Sequence, residues 1–418
     1  MTFQALPGFR DFYPAECAVR DWLFDIWRTT SQQFGFAAYD GPPLEPVELY
    51  KVKSGDEILH QLYHFKDKGD REITLRPEMT PTFARMAGER HRDFKKPIKW
   101  YTIPQLFRYE RPQKGRLREH YQWNADIVGE QGLGAEAELI ALIAATLKKM
   151  GLGPQDVVFR ISDRIFWTDF LEKHGIPANK HYDFLQIIDK LEREKPEVTR
   201  QKLEEFGGLG AAVEAVFEKK AESQRLDQLL TLLDAMGLAD WVCVDLKIVR
   251  GLAYYTGIVF ELNDRAGELR ALAGGGRYDH LFKQLTKADL PAIGFGFGDV
   301  AIVELLKEKN LLPTLPNQAD IFVAICDEAL RGRTLGVVRS LRAEGRRVDY
   351  PLSEQKLNKQ LELADERGAK LILLVDRAIE EGRIMVKDKA RGTQTELRIT
   401  CHKTPDGGEI MQFEPGLV

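Results

Sequence analysis

The chain has 418 residues, 44% of them hydrophobic and 30% charged, with a net charge of −4, which is a folded globular composition, too long for one ordinary core and too balanced for a polybasic coat. No apolar run approaches the roughly 18 residues that span a bilayer, and the start "MTFQALPGFRDFYPAE" lacks a signal-peptide layout. Cys17, Cys243, Cys326 and Cys401 form no CxxC pair and the eight histidines no ligand pattern, so a reducing cytoplasm, no membrane and no structural metal site are expected.

The predicted elements open with a helix over about 15–34, where "ECAVRDWLFDIWRTTSQQFG" sets apolar residues at helical spacing and stops on a glycine. "FAAYDGPPLEP" then runs extended, because Pro42 and Pro43 forbid helix. Hairpins and strands fill the stretch from "HFKDKGDREITLRPE" to "IVG", interrupted by a helix after Thr80, and "EAELIALIAATLKKMG" is an amphipathic helix. Residues 165–235 read as almost wholly helical, and strand signals resume from "VCVDLKIVRGLAYYTGIVFEL" to "IGFGFG" at 293–298. The body is therefore expected to be α+β: an antiparallel sheet core over 1–164 and 236–312 with a helical insertion at 165–235. "LLPTLPNQ" (311–318) reads as a linker. Beyond it, over 319–418, strands alternate with helices and "RIMVKDKARGTQTEL" closes as a hairpin, a small α/β domain.

One stretch stands apart. In "FRYERPQKGRLREHYQWNADIVG", residues 107–129, Arg108, Glu110, Arg111, Lys114, Arg116 and Arg118 crowd a loop before a strand. That strand has period two: Tyr121, Trp123, Ala125 and Ile127 on one face, Gln122, Asn124 and Asp126 on the other. Several guanidinium groups at the mouth of a sheet offer bidentate donors for phosphate oxygens. Glu78, after Pro77, suits the N-terminus of the following helix as well as a ligand. Tyr254 and Tyr255 are adjacent in a predicted strand, so one should face the core. Gly274, Gly275 and Gly276 permit either a bulge or close approach to a ligand. "HRDFKKPIK" (91–99) fits a solvated turn as well as an RNA contact.

The strand–loop–strand resembles the second signature motif of class II aminoacyl-tRNA synthetases, and "FRYERPQKGR" resembles their histidine-specific branch. "LPGFRDFYP", "TLRPEMTP", "VRGLAYYTGIVFE", "GGGRYD" and "KLNKQLELADERGAKLILLVD…GRIMVKD" agree in order, so the resemblance covers nearly the whole chain. It implies a class II synthetase core plus a C-terminal anticodon-binding domain. It also implies joining of L-histidine to ATP, with Mg2+, as histidyl-adenylate, then transfer to the 3′ end of tRNA(His). Arg108 and Arg250 would flank the α-phosphate as catalytic residues, Arg116 would reach the distal phosphates, and Glu110 would sit near the adenine or anchor the loop. Glu78 with Thr80 would take the ammonium of histidine, Gln122 its carboxylate region, and Arg250 would count among the histidine-binding residues as well. Asp126, Tyr255 and Tyr278 would take the imidazole. "GFAAYDGPPLEP" looks like the first motif and implies a homodimer. Arg346, Arg347 and Lys359 are candidate anticodon contacts, and the helical insertion would lie over the acceptor stem.

Two positions depart from the family pattern. Ala253 replaces an acidic residue after "RGL". In "GFGFGDVAIVELL" the register puts Val300 and Ala301 where the third motif ends in a glutamate–arginine pair, and Asp299, the only charge nearby, has the wrong sign for phosphate. Two functions therefore compete. One is an active histidine–tRNA ligase with an altered ATP site. The other is a silent paralogue that binds histidine or tRNA and regulates something else; one silent relative is the regulatory subunit of the first histidine-biosynthesis enzyme, which resembles the catalytic core. A silent paralogue has little use for Arg108, Arg116 and Arg250, and that regulatory subunit lacks the C-terminal domain present here, so the ligase is favoured.

Overall fold

The chain divides into two units, Met1–Pro313 and Thr314–Val418. The computed structural model describes residues 3–54, 56–113, 115, 117–192, 194–218, 223–250, 254–314, 318–403 and 409–413. Lys114, Arg116 and Ala253 lie outside the described residues.

The first unit is built on a sheet whose central strand is Glu119–Val128. It pairs antiparallel with Ile98–Thr102 on one side and Ala292–Gly298 on the other. Beyond Ala292–Gly298 come Ala273–Arg277, Ile258–Asp264 and Val157–Asp163, all antiparallel. Each edge adds one parallel pair, Ala37–Ala38 on Ile98–Thr102 and Val242–Val244 on Val157–Asp163. The expected antiparallel core is thus present, with parallel edges that periodicity does not reveal.

The alternation along the central strand settles which face meets the helices. Trp123, Ala125 and Ile127 enter the main core with helices Pro14–Gln33 and Gly134–Lys149. In the first helix Leu23, Phe24, Ile26, Trp27, Thr30 and Ser31 form the buried stripe. Trp27 stacks on Trp123 at 5.9 Å, and Trp123 Nε1 donates to Ser31 Oγ at 3.0 Å. The hydroxyls of Thr30 and Ser31 donate to the carbonyls of Ile26 and Trp27, both at 2.7 Å, while the buried Trp27 Nε1 has no hydrogen-bond partner. Arg277 fixes the neighbouring strand to the second helix through a buried two-pronged pair with Glu136, at 2.6 and 2.7 Å.

Residues 164–235 form the helices Arg164–Lys173, His181–Asp189, Pro196–Gly207, Gly210–Glu218 and Gln224–Ala235. Trp167, Phe184, Leu229 and Leu233 join the same core as the sheet. Within the charged turn at 91–99, Lys99 reaches Glu138 of the second helix at 2.6 Å, and Asp93 pairs with the preceding Arg90 at 2.8 Å.

The second unit has a six-stranded sheet with its own core, including Val323, Val337, Leu341 and Leu373. Ile321–Ile325 pairs parallel with Val348–Asp349 and with Leu371–Val375, and the remaining ladders are antiparallel. The strand expected over "RRVDYPL" shrinks to two residues, since Pro351 has no N–H to offer a ladder. A further strand, Glu409–Phe413, extends the expected hairpin.

Candidate functional site

On the polar face of the sheet, glycines make the floor. Gly274 lies opposite Gly296, and Gly276 opposite Gly294. A Cβ on Gly274 would sit 2.1 Å from Arg250 Nη1, and one on Gly294 would sit 1.9 Å from Asp126 Oδ1. On Gly296 it would meet Gln122 Cδ at 2.6 Å, and on Gly276 it would meet Tyr255 Cδ1 at 2.9 Å. At Gly274, Gly294 and Gly296 the absent side chain therefore leaves the space that one functional side chain fills, while at Gly276 Ile258 O and Val259 Cγ1 come closest, at 2.8 Å. Gly275, one residue out of phase, faces Phe260 and Phe295 in the core, so the "GGG" run is neither a bulge nor wholly a ligand floor.

Over this floor lies a small cavity of ≈ 70 Å³, walled by Glu78, Thr80, Arg108, Gln122, Asn124, Arg250, Tyr254, Tyr255 and Tyr278. Seven of the predicted site residues therefore converge: Glu78, Thr80, Arg108, Gln122, Arg250, Tyr255 and Tyr278. Asp126 stands one layer deeper, accepting a 2.5 Å hydrogen bond from the Tyr278 hydroxyl. Burial pushes its carboxyl up to about 7, against the opposing pull of that bond. Asn124 Oδ1 is buried with no hydrogen-bond partner, an acceptor facing the same cavity that the sequence reading placed on the polar face but left out of the site.

Glu78 does not cap the helix Thr80–Arg90. Its N-cap is Met79, without a side-chain cap bond, and Glu78 borders the cavity instead. Tyr254 and Tyr255 both belong to a buried core cluster. Tyr254 belongs to a turn, so strand alternation does not apply, and both rings border the cavity with centroids 4.7 Å apart. Burial raises the pKa of Tyr254, Tyr255 and Tyr278, so all three remain neutral hydroxyls.

Arg250 holds φ at 57°, a left-handed conformation that costs a branched-Cβ-free L residue about 1–2 kcal/mol. A glycine would relieve that strain, so the side chain is what the site retains. Its Nη1 pairs with Glu261 at 2.6 Å. Burial opposes the charge, but Glu261 outweighs it and holds the guanidinium above its ordinary pKa. Arg108 is aimed by a 2.9 Å bond from Nε to the Pro77 carbonyl.

Arg108, Gln122, Arg250, Gly274 and Gly296 also border a larger cavity of ≈ 720 Å³, continuous with the first. Its other walls include Leu117, His120, Glu261, Asn263, Arg270, Val300 and Ala301. The volume suits a nucleotide. Glu110 borders neither cavity; its backbone anchors the charged loop, donating to Arg108 O at 2.8 Å and accepting from Arg118 Nε at 3.1 Å. Arg118 is turned aside, its guanidinium 4.6 Å from the Tyr109 ring centroid. Arg116 lies outside the described residues.

Asp299 does not oppose a phosphate. It is buried, accepts from Tyr121 N at 3.0 Å and pairs with Arg10 at 2.9 Å, while Arg10 also holds Glu119 at 2.6 Å. Burial raises the Asp299 carboxyl to about 6 despite Arg10. The "LPGFRDFYP" segment therefore serves as a clasp: Gly8 O accepts from Arg118 N and Glu119 N, and Arg10 locks the start of the central strand to the helix Asp299–Glu308.

An antiparallel sheet floored with glycines, with two arginines at the seam between a small polar cavity and a nucleotide-sized one, is the catalytic body of a class II aminoacyl-tRNA synthetase. The family described as Histidyl-tRNA synthetase matches residues 8–300, and an anticodon-binding domain matches 320–401. The chain belongs to the histidyl-tRNA synthetase family. It is 45% identical to a histidine–tRNA ligase of Opitutus terrae, covering 95% of this chain and 96% of that one. It is 39% identical to the chloroplastic/mitochondrial histidine–tRNA ligase of Arabidopsis thaliana, over 94% of this chain and 84% of that one. In fold it is similar to a histidyl-tRNA synthetase from a Nostoc species, with TM-score 0.80 and 24% identity over 95% of this chain and 97% of that one.

Proposed function

We propose that this chain is a histidine–tRNA ligase that activates L-histidine with ATP and charges tRNA(His), acting as a homodimer in the cytoplasm. The observation that carries the reading is the seam: Arg108 and Arg250 border both cavities, where a histidine carboxylate would meet the α-phosphate of ATP. Two anions must approach there, and two preorganised guanidiniums offset the repulsion and the charge of the pentacovalent transition state. The carboxylate oxygen bonds to phosphorus as the bond to the β-phosphate oxygen breaks, releasing pyrophosphate. The 3′-terminal hydroxyl of the tRNA then attacks the carbonyl carbon, and AMP leaves.

In the smaller cavity Glu78 takes the ammonium and Gln122 the carboxylate end, while Asp126 and Tyr278, with Tyr255 as wall, receive the ring. A ring without matching N–H groups would leave Asn124 Oδ1 buried and unsatisfied and add no donor to Asp126, which is the basis for rejecting other amino acids. Mg2+ suits the larger cavity. Glu261 and Asn263 project from one face of the same strand, and Asn263 Oδ1 is buried without a hydrogen-bond partner. Two hard oxygens plus phosphates are the donor set Mg2+ prefers, and the ion would neutralise phosphate charge there. The anticodon-binding unit and the homodimer rest on the resemblance of 320–401 and of "GFAAYDGPPLEP" to the corresponding parts of the family.

The test is histidine-dependent exchange of labelled pyrophosphate into ATP, with Mg2+ and no tRNA. Exchange with histidine alone among the amino acids is the expected result. Absence of exchange both with and without tRNA would end the ligase reading.

A further inference from the structure

Among the described residues the larger cavity has cations at its seam but none at the start of the helix Asp299–Glu308, where Val300 and Ala301 form the wall and Asp299 is committed to Arg10. Two other arginines border it. Arg160 is held by Asp245 at 2.7 Å and by Glu192, so its charge is offset twice over. Arg270 stands elsewhere. It lies on the loop between Ile258–Asp264 and Ala273–Arg277, exposed at the cavity wall. Two residues on, Leu272 O accepts from Gly298 N at 3.3 Å, which stitches this loop to the first turn that carries Val300 and Ala301. From there the Arg270 guanidinium reaches across to the charged loop, donating to the side-chain oxygen of Gln113.

We propose that Arg270 binds the terminal phosphates of ATP and of the departing pyrophosphate, supplying from the neighbouring loop the cation that position 301 does not. The proposal rests on the ATP reading of this cavity. Gln113 is neutral and exposed, so its oxygen is a weaker acceptor than a phosphate oxygen, to which a guanidinium bonds about twice as strongly and in two-pronged fashion. A phosphate oxygen of ATP would therefore displace Gln113 from Arg270. The fixed fork lies beside the loop residues Arg108 to Gln113, so phosphate binding draws the strand-connecting loop and the charged loop onto one ligand.

The experiment compares full-length wild type, Arg270→Ala and Arg270→Lys in pyrophosphate exchange, varying ATP and histidine separately, with Mg-ATP affinity measured by calorimetry. Arg270→Ala should raise KM and Kd for ATP by about ten- to a hundredfold, the worth of one charged hydrogen-bonding group, and leave KM for histidine within about twofold. Arg270→Lys, keeping charge but not the fork, should fall between. Because Arg270 is exposed, the variants should melt with wild type, and a shared melting point excludes a folding effect. Wild-type exchange together with unchanged ATP parameters in Arg270→Ala overturns this proposal and leaves the ligase reading standing. If wild type exchanges neither with nor without tRNA, the ligase reading falls, and the ATP affinity still decides: an unchanged Kd in Arg270→Ala overturns the role of Arg270 too.

Discussion

Arg250 and Asp126 are both kept against an energetic cost. For Arg250 the cost is backbone strain at φ 57°. Its replacement by alanine removes one of two guanidiniums at the seam and should lower kcat for adenylate formation by about 10²–10³-fold with a smaller effect on KM for ATP, as for removal of a preorganised transition-state donor. Arg250→Lys should recover little, because Nη1 is the atom seated over Gly274 and paired with Glu261. Single-turnover formation of labelled adenylate measures this directly. For Asp126 the cost is burial of a charge. Its carboxyl titrates at about 7 in the folded protein and at about 4 in the unfolded chain. Between those values the folded state holds a proton that the unfolded state has released, so stability falls as pH rises from about 4 to about 7 and is level above. Asp126→Asn carries no such penalty. It should be more stable than wild type at pH 8 by no more than about 4 kcal/mol, with the gap narrowing toward pH 5. All six tryptophans lie in the first unit, so denaturant unfolding followed by tryptophan fluorescence reports this unit alone. The same variant should lose histidine affinity at both pH values, and a gap that does not change with pH would refute the assigned titration.

At the scale of elements, the glycine floor makes a sharp contrast. Gly294→Ala would drive a methyl to 1.9 Å from Asp126 Oδ1, a short side chain pinned by Tyr278. Gly296→Ala would meet only the far end of Gln122. The first should cost about 1–3 kcal/mol, the usual penalty of overpacking, and abolish histidine binding, while the second should be tolerated in folding with a modest rise in histidine KM. Calorimetric histidine titration of the two variants separates them, and equal behaviour would show that Asp126 can move. The floor also marks what could be read from sequence. Alternation along Tyr121–Ile127 placed Gln122 and Asp126 on the ligand side, because strand period is a local property. The helices Pro14–Gln33 and Thr80–Arg90 were legible for the same reason. What was not legible depends on distant partners. Asn263 and Arg270 reach the cavity through sheet register and a loop stitched to Gly298. Asp299 turned inward because Arg10, from the far end of the sequence, waits there. Tyr254 lies in a turn where a strand was expected.

At the scale of the molecule, the two units each carry a hydrophobic cluster of their own, so neither depends on the other for a core. Every residue assigned to histidine and ATP belongs to the first, and the anticodon-binding match belongs to the second. A chain ended at Pro313 should therefore fold, with its tryptophan-monitored unfolding within about 1 kcal/mol of that in the full protein, since independent domains contribute additively. It should exchange pyrophosphate within several-fold of wild type while its rate of charging tRNA(His) at low tRNA falls by about 10²-fold or more, because contacts that position the tRNA without touching the reacting atoms act on kcat/KM for tRNA. Saturating tRNA should recover part of the charging rate. Loss of pyrophosphate exchange in a stably folded first unit would mean instead that the second unit shapes the catalytic site, and activation and recognition would no longer be separable along this chain.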